Sequence, residues 1–401
     1  MLAELTFRDP VHGFVRADSL EADLVASRPM QRLRFIRQLG LAPLVFPGAE
    51  HSRFSHALGV MHLAGRLYDA LATRSSGALD PSPRCTDRRT LRAAALLHDV
   101  GHAPFSHTAE ELFDEPIDHE EMSRRLLHGP EIRSSFARHD LELEPVIELL
   151  AGGGAGSSRL LAQALSGELD VDKMDYLLRD SLFCGVEYGR FDLERLLDTV
   201  LPIEDPETGE WGIGVDAGGV HALEALVLAR YYMFTQVYFN VTVKVLELHL
   251  NQWLTESGVR WSADPERFME QDDVWVHSRL RTSRSPHARA LLERERYQLA
   301  AQTREHLSPK EAARFEQALV PLKTRFGDQL LISRSSKDSH RLRRSRLLVR
   351  HEDGSLEPMA EASRFIRHLD RIEQFRVYSA RAIRDEVSRA LADDPATKAG
   401  G

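Results

Sequence analysis

The feature that most constrains this chain is a set of apolar helical stretches interrupted by imidazoles and carboxylates. Residues 90–98, TLRAAALLH, are so rich in Ala and Leu that they must pack inside a core, yet the run ends on His98-Asp99 before Gly101 breaks it. Residues 54–72, FSHALGVMHLAGRLYDALA, form a second apolar-faced helix with His56 near its start. A third run, ELDVDKMDYLLRD, carries Asp172. An ionised carboxylate buried without a partner at such a helix end is costly, and a cation offsets the cost. Neutral imidazoles beside carboxylates are good ligands for a divalent transition metal. His56, His98, Asp99 and Asp172 are therefore read as one ligand set, two His and two Asp from three helices, leaving positions open for water and substrate oxygens. A lone His on an apolar helix face is ordinarily a hydrogen-bonded core residue, and His62 and His249 are read that way. The set favours the metal because several polar residues each interrupt an apolar helix.

The rest of the chain sets these helices in a mainly α protein. Residues 20–39 show helical spacing of apolar positions up to Gly40. Residues 75–89 and the GGGAGSS segment at 152–158 read as connections. Residues 200–216 read as a short β-hairpin turning at Glu207-Thr208-Gly209, followed by long helices over 219–254 and about 286–322. Strands are expected at 330–333, within 346–360 around an Asp353-Gly354 turn, and at 375–380, with a helix near 381–391. The expected organisation is a helical body over 1–325 and a small α+β lobe over 326–401. With 401 residues, 42% of them apolar and 28% charged, the chain can bury a large core, which excludes a disordered or linker protein. Fifty-two basic against 61 acidic residues give a net charge of −9, unlike a polybasic nucleic-acid coat. Cys85 and Cys184 are too few for a disulfide framework, and no apolar run approaches a membrane span. A reducing, cytoplasmic setting without membrane contact is expected.

The strings RLRFIRQLG, FPGAEHSRFSHALGVMHLAG, LLHDVGHAPFSH and DVDKMDYLLRD resemble the HD-domain metal phosphohydrolases, and within them the deoxynucleoside triphosphate triphosphohydrolases. The likeness runs from LTFRDPVHGFV at residue 5 to about residue 300 and returns weakly in the C-terminal lobe. It implies an HD-domain helical body, metal ligation by His56, His98, Asp99 and Asp172, and attack of water on the α-phosphorus of a dNTP, releasing tripolyphosphate and a deoxynucleoside. By the same likeness His102 and His107 are phosphate contacts or proton-transfer groups, and His119 assists that transfer. Arg53, Lys173 and Arg230 match phosphate-contacting cations, and Tyr176 and Tyr238 match phosphate- or sugar-contacting tyrosines. Gln38 and Leu39 match residues lining the sugar, and Asp180 matches an acceptor for the 3′-hydroxyl. The implied cofactor is a divalent ion (Mn, Fe, Mg, Co, Ni or Zn), and the implied assembly is a homo-oligomer. Two departures stand out. Ala26 occupies the position where nucleotide-activated members carry a guanine-reading Asp, and RYYMFTQVYFN replaces a histidine-rich string after Arg230.

GGGAG lacks the Gly-Lys-Ser/Thr ending of a phosphate-binding loop and reads as a hinge. The arginine-rich segment Arg334–Arg350 reads as a solvated loop, or as a grip on nucleic-acid phosphates. Three functions follow: a dNTP triphosphohydrolase, a metal-dependent nuclease or phosphodiesterase acting on DNA or RNA ends, and a nucleotide sensor with a structural metal.

Overall fold

The computed structural model describes residues 4–75, 77, 79–105, 112–153, 157–338, 342 and 347–397. It is mainly α. A two-stranded hairpin, β1 (Leu5–Asp9) and β2 (Gly13–Ala17), leads into α1 (Ser19–Ala26), α2 (Arg28–Arg32) and a 3-10 turn at Leu33–Phe35. The single helix expected over 20–39 is thus broken at Ser27. That residue is extended, with ψ 150°, and Pro29 in the following first turn restarts the helix where no amide donor is needed.

The body is built on α3 (Arg53–Thr73), α4 (Thr86–Leu97) and α9 (Val171–Cys184). Between α4 and α9 lie α5 (His119–Leu127), α6 (Pro130–Arg138), α7 (Glu144–Leu150) and α8 (Ser157–Ser166). Helix α3 is the central element: Ala57, Val60, Met61, Leu63, Ala64, Leu67, Tyr68 and Leu71 are all fully buried. Truncating one such side chain to Ala typically costs about 2–5 kcal/mol. Backbones approach closely where α3 meets α9. A Cβ built on Gly59 would lie 1.9 Å from Asp175 Oδ1 and 2.4 Å from Arg179 Nη2, so only glycine fits there.

After α10 (Leu193–Thr199), the expected hairpin forms as β3 (Val200–Glu204) and β4 (Trp211–Asp216), antiparallel in register Val200↔Val215. The stretch read as one helix over 219–254 divides into α11 (Val220–Met233), a π turn at Phe234–Tyr238 and α12 (Val241–Ser257). Asn240 stops the first part and caps the second, accepting from the amides of Thr242 and Val243. Further on come α13 (Pro265–Phe268), α14 (Asp273–Thr282), α15 (Pro286–Leu292), β5 (Gln298–Gln302) and α16 (Pro309–Phe326). A helix expected across 286–322 is therefore interrupted. Arg294, at φ 61°, turns the chain out of α15, and Ser308 with Glu311 forms the capping box that opens α16.

The C-terminal strands are β6 (Leu330–Lys337), β7 (Leu348–Arg350), β8 (Leu356–Pro358) and β9 (Ile372–Ser379). The short helices α17 (Met359–Ala362) and α18 (Arg364–His368) precede β9, and α19 (Arg384–Leu391) follows it. Their pairings cross residue 325. Strand β9 is central in an antiparallel sheet of order β5-β9-β6, whereas β7 runs parallel to β4 in the sheet β3-β4-β7-β8. Phe375 and Val377 of β9 pack with Phe315 and Leu319 of α16 and Val387 and Leu391 of α19 on one face. On the other, Leu331 and Tyr378 pack with Val245 of α12, and the Tyr378 hydroxyl donates to the Val241 carbonyl at 2.8 Å. No helix among the described residues is long and apolar enough to cross a membrane.

Candidate metal centre and substrate cavity

Three helix ends converge on one point. His56 lies in the first turn of α3, His98 caps the C-terminus of α4, and Asp172 sits in the first turn of α9, where the helix dipole favours a carboxylate. One ligand atom from each of the three lies within 4.8 Å of the others. His56 Nε2 is 3.0 Å from Asp172 Oδ1, and His98 Nε2 is 3.7 Å from the same oxygen.

The hydrogen bonds assign the nitrogens their roles. His98 Nδ1 donates to the Ala95 carbonyl at 2.8 Å, leaving Nε2 with a lone pair, buried and without a hydrogen-bond partner among the described residues. His56 Nδ1 is 2.8 Å from Asp175 Oδ2, so its Nε2 likewise faces the centre. Burial works against a charged His56, but its bonds to Asp172 and Asp175 outweigh that and raise its pKa to about 10. Two imidazole nitrogens and a carboxylate form a donor set that fits a divalent transition ion, and the orphaned His98 nitrogen is what such an ion would satisfy.

Asp99 sits at the edge of this group. Its Oδ2 accepts from Arg53 Nη1 at 2.5 Å, while its Oδ1 is 3.1 Å from His102 Nε2 and 3.3 Å from His98 Nε2. Burial would push its carboxyl up, but Arg53, His98 and His102 together hold it well below the usual range. His102 is likewise driven down, to about 4, by burial and by Arg53, which favours its neutral form. Its ring stacks on His119 at 4.6 Å and 10°. This closeness depends on Gly101, where a Cβ would lie 2.3 Å from the His119 carbonyl oxygen and 2.4 Å from the Ser123 amide. His107 lies outside the described residues.

A cavity of about 1200 Å³ opens over the centre, lined by Gln38, Leu39, Arg53, Lys173, Tyr176, Asp180, Arg230 and Tyr238 along with His56, Asp99, His102, His119 and Asp172. All eight residues matched to substrate contacts therefore face one space. Lys173 is already engaged, bonding Asp170 and the Gly167 carbonyl. Asp180 is almost fully buried, with Oδ1 2.7 Å from His51 Nε2 and Oδ2 accepting from the Tyr238 hydroxyl at 2.8 Å. Burial pushes the Tyr176 phenol up to about 12 and raises Tyr238 well above the ordinary phenol value, so both remain hydrogen-bond donors. Phe234, from the π turn, stands between Arg230 and Lys337, whose charges lie 5.5 and 5.3 Å from its ring.

Sequence reasoning missed the residues behind the ligands. Asp175 and Arg179 follow Asp172 at i+3 and i+7 on the same helix, a spacing that could have pointed to them. His12, Asp9 and Arg32 gave no such signal, whereas His51 already stood out in the histidine-rich EHSRFSH string. In the arginine-rich segment, Arg334 pairs with Glu373 and Glu316, and Arg350 pairs with Asp216. Residues 339–341 and 343–346 lie outside the described residues.

Residues 53–180 match the HD domain, and residues 191–394 match the HD associated region. YwfO of Bacillus subtilis, an uncharacterized protein, is 37% identical over 274 residues, covering 66% of this chain and 60% of that protein. A Dictyostelium discoideum protein named as a deoxynucleoside triphosphate triphosphohydrolase SAMHD1 homolog is 29% identical over 295 residues, 69% of this chain and 55% of that one. The crystal structure of a hypothetical protein from Aquifex aeolicus superposes with a TM-score of 0.81 at 29% identity, covering 97% of this chain and all of that one. The chain spans about three fifths of the length of the curated relatives it matches. With the ligand geometry, the cavity and these matches in hand, the chain belongs to the HD-domain family and carries that family's HD associated region.

Proposed function

We propose that the chain is a metal-dependent phosphohydrolase acting on deoxynucleoside triphosphates, in which water attacks the α-phosphorus and the bond to the 5′-oxygen breaks, giving a deoxynucleoside and tripolyphosphate. The observation that carries this reading is the His56–His98–Asp172 group within 4.8 Å, at a cavity also lined by Arg53, Lys173 and Arg230. His56, His98 and Asp172 would hold the ion, with Asp99 alongside. When bound, a divalent ion lowers the pKa of water and polarises a phosphoryl oxygen.

The chain's own groups do the remaining work. A triphosphate brings about four negative charges, which charge-assisted bonds from the three cations are suited to meet. Lys173 would then exchange Asp170 for substrate oxygens. The departing 5′-oxygen needs a proton, and the imidazoles of His102, His107 and His119 are the groups assigned to handle it. Tyr238, Asp180, Gln38 and Leu39 form the sugar end, with the Asp180 carboxylate as acceptor for a 3′-hydroxyl. Relatives named as deoxynucleoside triphosphate triphosphohydrolases support this choice of substrate. A cytoplasmic homo-oligomer belongs to the same reading, and light scattering on the purified chain tests its assembly.

The deciding experiment incubates the purified chain with each dNTP and with end-labelled single-stranded DNA, in the presence of Mn, Mg, Fe, Co, Ni or Zn. Tripolyphosphate and deoxynucleoside are expected by chromatography. Absence of tripolyphosphate with every ion overturns the proposal, and shortening of the DNA instead assigns the centre to a nuclease. Turnover that survives His98→Ala and Asp99→Ala would make the metal structural.

A further inference from the structure

The N-terminal hairpin is a weak structure on its own. It has two strands of five residues, and Phe14 is 57% exposed. An isolated two-stranded hairpin is at best marginally stable in water. Its turn is nevertheless fixed. Asp9 Oδ1 accepts from the amides of Val11 and His12, both at 2.9 Å, and Asp9 Oδ2 accepts from Arg179 Nη1 at 2.8 Å. This ties the turn to α9 through a fully buried guanidinium.

The same turn sends His12 inward, where its Nε2 is 2.6 Å from Asp175 Oδ1. Asp175 is fully buried and surrounded by donors. Besides His12, it takes Arg179 Nε at 2.8 Å, Arg179 Nη2 at 2.9 Å and His56 Nδ1 at 2.8 Å. Its carboxylate plane is thereby set by α9 from one side and by the hairpin from the other. That plane in turn sets the ring of His56, whose Nε2 faces Asp172 and His98. Nothing in phosphoester hydrolysis calls on His12, and it does not line the cavity. Outer partners of a ligating histidine fix its ring and its tautomer, and losing them typically weakens metal affinity 10–100-fold.

We infer that His12 is a positioning residue for the metal centre, acting through Asp175 on His56, and that the hairpin turn is a clamp on that centre. The inference rests on the metal centre of the proposed function, and its test separates the two. Full-length apo-protein is titrated with Mn(II) by calorimetry as wild type, His12→Ala and His12→Gln, with circular dichroism checking the fold of each. The expected result is a dissociation constant raised 10–100-fold in His12→Ala and restored to within about threefold of wild type in His12→Gln, whose amide can donate from the Nε2 position. A role in stability alone would lower the melting temperature of the apo-protein in both variants and leave the affinity of the folded fraction unchanged.

Should His12→Ala not fold, His12→Met fills the space without a donor and is read in its place. Wild-type affinity in a folded variant lacking the donor overturns the clamp, as does a His12→Gln as weak as His12→Ala. A wild-type chain that takes up no metal overturns the metal centre itself and the clamp with it.

Discussion

Replacing Gly59 by Ala tests how tightly the helices carrying the proposed metal ligands are locked together. In an unconstrained helix interior this change would stabilise by about 1 kcal/mol, since Ala is the better helix former. At Gly59 the new methyl would sit 1.9 Å from Asp175 Oδ1 and 2.4 Å from Arg179 Nη2. Neither atom is free to give way, because Asp175 is held by His12, His56 and Arg179, and both Asp175 and Arg179 are fully buried. Disrupting a buried, hydrogen-bonded ion pair costs about 3–5 kcal/mol. The net expectation is a loss of about 2–4 kcal/mol, together with weaker metal binding as His56 turns. Gly65→Ala on the same helix is the control. There the methyl would meet Arg92 Nη1 at 2.7 Å, Arg92 Cδ at 3.2 Å and Arg88 Nη2 at 3.0 Å, side chains held by Glu21 and Asp69 and bonded to neither Asp175 nor His56. That variant should also lose stability but keep its affinity for Mn(II). Urea denaturation and Mn(II) titration of both variants measure the difference. A Gly59→Ala protein as stable as wild type, or a Gly65→Ala protein that loses as much Mn(II) affinity, would refute the argument.

Other outcomes follow from the same geometry. His98→Ala should abolish metal uptake in elemental analysis while costing little apo-protein stability, because among the described residues the ring makes a single hydrogen bond, to the Ala95 carbonyl. Lys173→Ala should retain metal but raise KM or lower kcat for a triphosphate substrate, and equal loss of metal would place Lys173 in a structural role. Burial and neighbouring His12 push His62 down to about 4, and burial with His287 does the same to His249. The unfolded chain therefore takes up protons that these folded imidazoles refuse between about pH 6.5 and 4, so stability is fully present above that window and falls on acidification through it. His249→Gln should flatten the pH dependence of the denaturation midpoint across this range, and an unchanged slope would count against it.

Local signals account for what the residues revealed. The apolar period of α3 and the turn chemistry of Asp353-Gly354 act within a few residues, and both elements formed where their patterns lie. Strand β5 carries QLAAQ, with no β-branched or aromatic residue, and owes its conformation to pairing with β9 about 75 positions later. The grouping of His56, His98 and Asp172, proposed here as the metal ligands, was legible because each interrupts an apolar helix. Asp175 resembled an ordinary helix acid, and its contact with His12 spans 163 positions that no local pattern connects.

The parallel pairing of β7 with β4 means the polypeptide leaves the β3–β4 hairpin, lays down β5 and β6, returns to add β7 and β8 to that hairpin, and only then inserts β9 between β5 and β6. A stop codon near residue 325 would accordingly strip the body of two strands and bare the β4 edge, rather than release a detachable module. The two halves of this protein form one stitched fabric, and neither can be exchanged as a cassette without recutting the other.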